Sequence, residues 1–252
     1  LFAEAAGQEP PIGTNDPVDL LCHPDLQLDQ AIAWLTKAVH KNLKKMRRQQ
    51  GIDVASLRRD VAEVLGWLVL RAVDETWLGE HGGSLKRSEG VRVQVGLKHP
   101  SCIDIVLSRA HERAAEFRLG GQGDLVLGRQ GIVYGSEGGI APPANLLEIR
   151  KAIWREVMRS PPPAPFTEDH RKTLAGRLKA QAWTDQPHYL TVPLDDCRAS
   201  VTEEDLNALQ REFPYLALFL IRTSDARQAL LLDEFELEGQ VHAFLRALDE
   251  TR

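Results

Sequence analysis

Seven consecutive apolar residues, Tyr215-Leu-Ala-Leu-Phe-Leu-Ile221, limit what the C-terminal third of the chain can fold into. A strand with no polar face must be covered on both sides, as the central strand of a sheet between helices is. The flanking patterns agree and predict a small α/β layered domain over residues 167–252. Its predicted elements are helix 167–183, strand 188–193, helix 202–213 with a Thr202–Asp205 cap, strand 215–221, strand 228–233 and helix 234–250.

A helical period dominates residues 21–160, which we predict to be a helix-rich α+β domain. Apolar residues recur every three or four positions over 26–50, and Asp53 is a suitable N-cap for a second helix reaching residue 79. The short connection between the two helices predicts an antiparallel hairpin. The remaining predicted elements are strand 91–97, helix 103–117 stopping at Gly120, a hairpin of 124–127 with 132–134, and helix 145–159 opened by an Asn145–Glu148 capping box.

Turn-forming residues divide the chain into its predicted parts. Residues 1–20 have little periodicity and are predicted to be a tail or linker, and residues 81–90 are predicted to be a loop. Four prolines in Ser160-Pro-Pro-Pro-Ala-Pro165 favour a stiff, extended spacer, so we predict a domain boundary at the Pro-rich linker 161–166. The predicted fold class is α/β (mixed α+β): an N-terminal helical hairpin with a small sheet, followed by a small α/β layered domain.

Charge and cysteine usage restrict the class of function. The net charge of −5 argues against a protein that coats nucleic acid over its whole surface. Cys22, Cys102 and Cys197 are odd in number and widely spaced, which does not suit a disulfide framework and fits the cytoplasm. No apolar run approaches the length of about 18 residues needed to span a membrane. Because the chain opens on Leu1 and not on Met, we expect it to be part of a longer polypeptide.

An apolar stretch ending in two acids, Ala229-Leu-Leu-Leu-Asp233-Glu234, is one candidate site. It resembles the Walker B strand of P-loop NTPases, and the resemblance implies that Asp233 holds Mg²⁺ and that Glu234 positions the attacking water. That chemistry also needs a Gly-rich loop with a Lys, and the sequence has no Gly-Lys pair. The pattern therefore favours a strand that meets an acidic helix start. A degenerate P-loop-like NTPase is an alternative.

A cysteine near a predicted strand end is a second candidate. The segment Asp195-Asp-Cys197-Arg resembles the strand-end context of caspase-like peptidases, which implies a nucleophilic Cys197. The nearest match to that family's His-Gly motif is His81-Gly82, more than a hundred residues upstream. Two adjacent aspartates would also raise the thiol pKa. A divergent cysteine hydrolase is thus an alternative to a small buried or strand-end residue.

Other short patterns do not add up to a site. Cys22-His23 and His99-x-x-Cys102 are pairs of metal-ligand types, but neither spacing suits a zinc site, so we expect no metal and no cofactor. The segment Tyr134-Gly-Ser136-Glu-Gly138 resembles a nucleophile elbow whose first Gly is replaced by Tyr, and we interpret it as a loop.

Basic residues spaced three and four apart follow the first predicted helix. Such a stripe can contact phosphates or an acidic protein, although a solvated face is the commoner role. The candidate binding residues are Lys37, Lys41, Lys44, Lys45, Arg47 and Arg48.

No reactive group in the sequence comes with both an activating partner and a device for charge stabilisation, which favours a non-catalytic protein over an enzyme. The leading prediction is a regulatory, adaptor or scaffold module of a larger intracellular assembly, binding a protein partner or other domains of a longer chain. The alternatives are an enzyme built around Cys197 or around Asp233 and Glu234, and a nucleic-acid-binding accessory protein that uses the 37–48 stripe.

Overall fold

The computed structural model describes residues 27–46, 54–87, 89–98, 102–119, 125–127, 131–133, 146–182, 188–194, 201–222 and 227–249. The α-helices are α1 (Leu28–Met46), α2 (Val54–Leu68), α3 (Glu75–Leu85), α4 (Ile103–Ala110), α5 (Leu146–Met158), α6 (Glu168–Ala182), α7 (Glu203–Glu212) and α8 (Glu234–Asp249), and a 3₁₀ turn spans Val69–Ala72. The strands are β1 (Arg92–Val95), β2 (Phe117–Leu119), β3 (Leu125–Leu127), β4 (Gly131–Val133), β5 (Tyr189–Pro193) and β6 (Ala217–Ile221). This mixture of helices with a small parallel sheet confirms the predicted α/β class.

Two compact units share the chain, and each is discontinuous in sequence. The first unit contains residues 1–74, 104–128 and 230–252, and the second contains residues 75–103 and 129–229. The predicted boundary at 161–166 lies inside the second unit, so the structure divides the chain differently from the sequence pattern. The reason is the sheet, whose strands come from both sides of the Pro-rich segment.

The first unit is built on α1, α2 and α8. The apolar residues of α1 recur at helical spacing and are buried at Leu28, Ile32, Leu35 and Val39. Helix α2 packs beside α1, and its buried positions Val61, Leu65 and Leu68 repeat the same spacing. The two predicted helices are therefore present, although α1 ends at Met46 in the described residues and Asp53 lies outside them.

The second predicted helix stops earlier than its pattern indicated. The α-helix ends at Leu68, a 3₁₀ turn follows, and Val73 takes an extended conformation in which it forms an antiparallel bridge with Leu230. The chain then begins α3, which continues to Leu85 through the first half of the segment predicted as a loop. The sequence Leu65–Val73 is apolar except for Arg71, so its pattern indicates burial but not the residue at which the helix ends.

The middle of the first unit also departs from the predicted elements. Helix α4 ends at Ala110, and Glu112, with φ of 53°, takes the left-handed conformation that ends many helices. Phe117, predicted as helical, begins β2, which pairs antiparallel with β3. The predicted hairpin of 124–127 with 132–134 is wrong, because β3 pairs with β2 and β4 pairs with β5.

A four-stranded parallel sheet, in the order β1-β6-β5-β4, forms the centre of the second unit. Every residue of β6 is buried, which confirms that the apolar run at 217–221 is a central strand. Parallel neighbours require crossover connections, and helices supply them between β4, β5 and β6.

One face of this sheet carries a continuous apolar core. Leu190 and Val192 of β5 and Leu218 and Leu220 of β6 point to this side, as the alternation along a strand requires. Helices α5, α6 and α7 cover it with apolar side chains. The predicted cap of α7 is confirmed: the Thr202 hydroxyl accepts a hydrogen bond from the Asp205 N–H at 3.1 Å, and the Asp205 carboxylate accepts one from the Thr202 N–H at 3.0 Å.

Candidate interaction surface

An apolar groove runs between α1 and α8 in the first unit. It has a volume of about 560 Å³ and is open to solvent along one side. Ile32 forms part of its floor, and Ala33 and Ala243 are exposed on its walls. The small alanine side chains keep the groove open where larger residues would fill it. The complete lining is Ile32, Ala33, Thr36, Lys37, Gln240, Ala243 and Ala247.

Backbone contacts at both ends of α8 hold the second wall of the groove in place. At its N-terminal end, the Leu231 N–H donates to the Ala72 carbonyl at 2.7 Å, next to the bridge between Leu230 and Val73. At its C-terminal end, the Arg58 guanidinium donates to the Leu248 carbonyl. Helix α8 therefore runs antiparallel to α2, with an apolar stripe facing the core of the unit. The stripe consists of Leu237, Val241, Phe244, Leu245 and Leu248.

The polar atoms in the groove are few. The Thr36 hydroxyl donates to the Ile32 carbonyl at 2.8 Å within α1, so its proton is already used. The Gln240 Oε1 atom is enclosed and accepts no hydrogen bond from the residues that the structure describes. Lys37 is exposed at the edge of the groove. Among the described residues, an occupant would thus meet an apolar floor, one hydroxyl oxygen, one amide and one positive charge.

The structure places only part of the predicted basic stripe. Lys37 lines the groove, and Lys41, Lys44 and Lys45 belong to the later turns of α1. Arg47 and Arg48 lie outside the described residues. Residues four and seven positions after Lys37 return to the same face of a helix, so Lys41 and Lys44 occupy positions one and two turns beyond it.

The predicted acid pair Asp233 and Glu234 is not at the end of a strand. Among the described residues, 228–233 make only isolated bridges, at Gln228 and Leu230, so the predicted strand is wrong. The Asp233 carboxylate caps α8 by accepting the N–H groups of Phe235 and Glu236 at 3.0 and 3.3 Å. Glu234, 6% exposed, is the first residue of that helix. The pair belongs to the first unit, whereas the parallel sheet, to which a Walker B strand would belong, is part of the second.

The predicted cysteine site cannot be assembled from the described residues. Cys197 and its two aspartates lie outside them, as do Cys22, His23, His99 and Ser136. His81 is in α3, where its ring contacts Trp77 at a centroid distance of 4.6 Å. Cys102 is fully buried. No group of three or more potential metal ligands occurs within the described part of the chain.

His188, immediately before β5, has a strongly shifted pKa. It is 4% exposed, and its Nδ1 atom has no hydrogen-bond partner among the described residues. Burial, together with the positive charges of Arg159 and Arg177, lowers the pKa of His188 from 6.5 to about 4. At neutral pH the imidazole is therefore uncharged.

Two ion pairs connect elements of the second unit. The Arg150 guanidinium donates to the Glu212 carboxylate at 2.6 and 2.9 Å, which connects α5 to α7. Arg92 makes a bidentate pair with Glu203, and this hydrogen bond lowers the pKa of Glu203. Arg150 and Glu212 connect two helices that cover the sheet, and Arg92 and Glu203 connect α7 to β1.

Sequence reasoning missed Ala33, Gln240, Ala243 and Ala247, which define the groove together with Lys37. The available signal was weak: Gln240, Ala243 and Ala247 recur at helical spacing along α8, but small residues on a helix surface are common. No described helix has the length and apolar character required to cross a bilayer. Comparison with protein-family models, curated proteins and solved structures finds no match to this chain.

Proposed function

We propose that the protein is a non-catalytic interaction module whose first unit binds an acidic amphipathic helix of a partner protein. The partner's apolar side chains enter the α1/α8 groove, and its carboxylates lie beside Lys37 and the lysines that follow on α1. The observation that carries this proposal is the open apolar groove with a lysine at its edge. The module acts in the cytoplasm as an adaptor within a larger assembly.

Helix-in-groove recognition suits these dimensions and this chemistry. An amphipathic helix presents apolar residues every three or four positions, and these residues enter a groove formed by two facing helices. A small-molecule pocket usually encloses most of its ligand, whereas this groove is open to solvent along one side. The low polarity of the groove also makes it a poorer fit for a nucleic-acid backbone, which is charged along its whole length.

A designed peptide tests the proposal directly. The probe is a fluorescein-labelled amphipathic helix of about 18 residues with leucines on one face and glutamates on the other. We expect saturable binding in fluorescence anisotropy, and we expect Ala243→Glu to weaken it about tenfold because a charge then faces the apolar side of the probe. Lys37→Glu should also weaken binding, by about fivefold.

Ala180→Glu is the matched control, because Ala180 is an exposed alanine on α6 in the second unit. Ala180→Glu makes the net charge of the protein one unit more negative, as Ala243→Glu does, and should leave the affinity for the probe unchanged. A second probe with lysines in place of glutamates should bind more weakly than the first. If the Ala243→Glu and Ala180→Glu variants bind the probe equally tightly, the groove is not the binding site and the proposal is wrong. Tighter binding of an 18-base-pair DNA duplex, falling linearly with log salt, would support the nucleic-acid alternative.

A further inference from the structure

Strand β1 forms one edge of the parallel sheet in the second unit. Among the described strands it has a single neighbour, β6. We infer that the outer edge of β1 binds an extended basic peptide segment of a partner protein, which adds to the sheet as a further strand. The inference concerns the second unit and does not depend on the α1/α8 groove.

The pairing with β6 shows which backbone groups of β1 remain available. Arg92 is the register partner of Leu218, whose N–H donates to the Val91 carbonyl at 2.9 Å. Val91 and every second residue after it therefore face β6, because successive residues of a strand direct their backbone groups to opposite sides. The N–H and carbonyl groups of Arg92 and Gln94 point to the outer edge, and they form no hydrogen bond within the described part of the chain.

This edge is short, which limits the length of peptide that it can pair with. Just beyond β1, Gly96 already forms a parallel bridge with Gln228. A charged residue such as Arg92 commonly protects an edge strand against pairing. Here its guanidinium turns to α7 and donates to the Glu203 carboxylate at 2.7 and 2.5 Å, so it does not block the outer edge.

A polar groove on α7 lies beside the same strand. The Arg92 guanidinium donates to the Asn207 side-chain oxygen at 3.3 Å, and the Gln210 side-chain amide donates to the Val91 carbonyl at 3.1 Å. Alternate side chains of a strand added to β1 would therefore point to α7, as that of Arg92 does. The groove has a volume of about 670 Å³ and is lined by Glu203, Glu204, Asn207, Gln210 and Arg211.

The groove is acidic where α7 begins, which identifies the charge of the peptide. Glu203, Glu204 and Asp205 occupy the first turn of the helix. Glu204 is exposed and makes no ion pair with the described residues. A lysine or arginine of the added strand would complement these carboxylates. Its other side chains would lie on the face of Val93 and Val95, which are buried, so the preferred peptide alternates basic and apolar residues.

A labelled peptide of about eight residues that alternates lysine and valine tests the inference with the full chain. We expect saturable binding in fluorescence anisotropy, and we expect Gln94→Pro to weaken it at least about tenfold. Proline removes the outward N–H of residue 94 and leaves the ladder to β6 intact. Urea unfolding of the variant checks that its fold is retained. Equal binding by the wild type and the folded variant would overturn the inference.

A second pair of variants tests the charge without changing the strand. Glu204→Gln should weaken binding of the peptide about threefold, because one carboxylate at the start of α7 is lost. Glu156→Gln is the matched control, since Glu156 is an exposed acid on α5 in the same unit. It should leave the affinity unchanged. If both variants bind the peptide equally, the groove on α7 is not part of the site and the inference is wrong.

Two N-methylated peptides separate backbone pairing from charge attraction. One is methylated on the lysine amides and the other on the valine amides, so both keep the charge of the parent. Only one of these sets of amides faces β1 in a ladder, and we expect that only the peptide methylated on this set loses binding. Equal affinity of both peptides and the parent would overturn the inference. A wild-type dimer in analytical ultracentrifugation that Gln94→Pro converts to a monomer would also overturn it, because a second copy would then occupy the edge.

Discussion

His188 illustrates how a single side chain couples this fold to pH. The residue is buried at the start of β5, where its carbonyl accepts a hydrogen bond from the Ala217 N–H at 3.0 Å. Its imidazole is kept neutral first by burial and then by the nearby charges of Arg159 and Arg177. Protonation would add a positive charge near Arg159 and Arg177, and the Nδ1 atom has no hydrogen-bond partner in the described part of the chain. Protonation of His188 therefore destabilises the folded protein relative to the unfolded chain.

The free energy of unfolding should fall as the pH drops from about 6.5 to about 4. In that range the unfolded chain binds a proton at His188 that the folded protein does not bind, which favours unfolding. The pKa difference corresponds to about 3 kcal/mol at the acidic end. Urea unfolding of the wild type and of His188→Asn at several pH values measures this effect. The variant should show a flatter dependence, and parallel curves for the two proteins would contradict the assignment.

At the scale of elements, the acidic residue Asp233 at the start of α8 has two interpretations, a helix cap or a Mg²⁺ ligand. Asp233 accepts two backbone N–H groups of the first helical turn, which are donors that have no partner within a helix. The carboxylate also lies at the positive end of the helix dipole. The acid is thus explained by the helix, without a metal ion or a phosphate.

Two substitutions of Asp233 distinguish the cap from a Mg²⁺ ligand. Asp233→Ala should lower the free energy of unfolding by about 1 kcal/mol, whereas Asp233→Asn should lower it by less than about 0.5 kcal/mol, because Asn is an equally good cap. Unfolding in urea measures both values. Titration calorimetry with millimolar Mg-ATP should give no saturable heat for any of the proteins. Saturable binding by the wild type that both variants lose would support the NTPase alternative.

At the scale of the whole molecule, the sheet of the second unit connects distant parts of the chain. Strands β5 and β6 follow the Pro-rich segment, but their outer neighbours, β4 and β1, precede it. The Pro-rich segment is also attached to α5, because the Trp154 indole N–H donates to the Ser160 hydroxyl at 3.2 Å and its ring contacts Phe166 edge to face. Segment 161–166 thus connects two helices of one layer.

Residues 167–252 alone should not fold cooperatively. That fragment would lose β4 beside β5, β1 beside β6, and the apolar side chains of α5, which would expose the core face of the sheet. Thermal unfolding followed by circular dichroism should show a broad change for the fragment and a single sharp transition for the full chain. A sharp transition in the fragment would support the domain boundary predicted from the prolines.

Local patterns in the sequence determined the α/β class, the central strand at 217–221, the Thr202–Asp205 cap of α7 and most helices, because burial and capping leave a periodic trace over a few residues. They did not determine that Phe117 begins a strand, that β4 joins β5, or that the chain breaks at Val73 to pair with Leu230. The α1/α8 groove was equally hidden, since its walls are about two hundred residues apart in sequence. Periodicity shows which side of an element is buried, but only the tertiary structure decides which distant element covers it and which surface remains open.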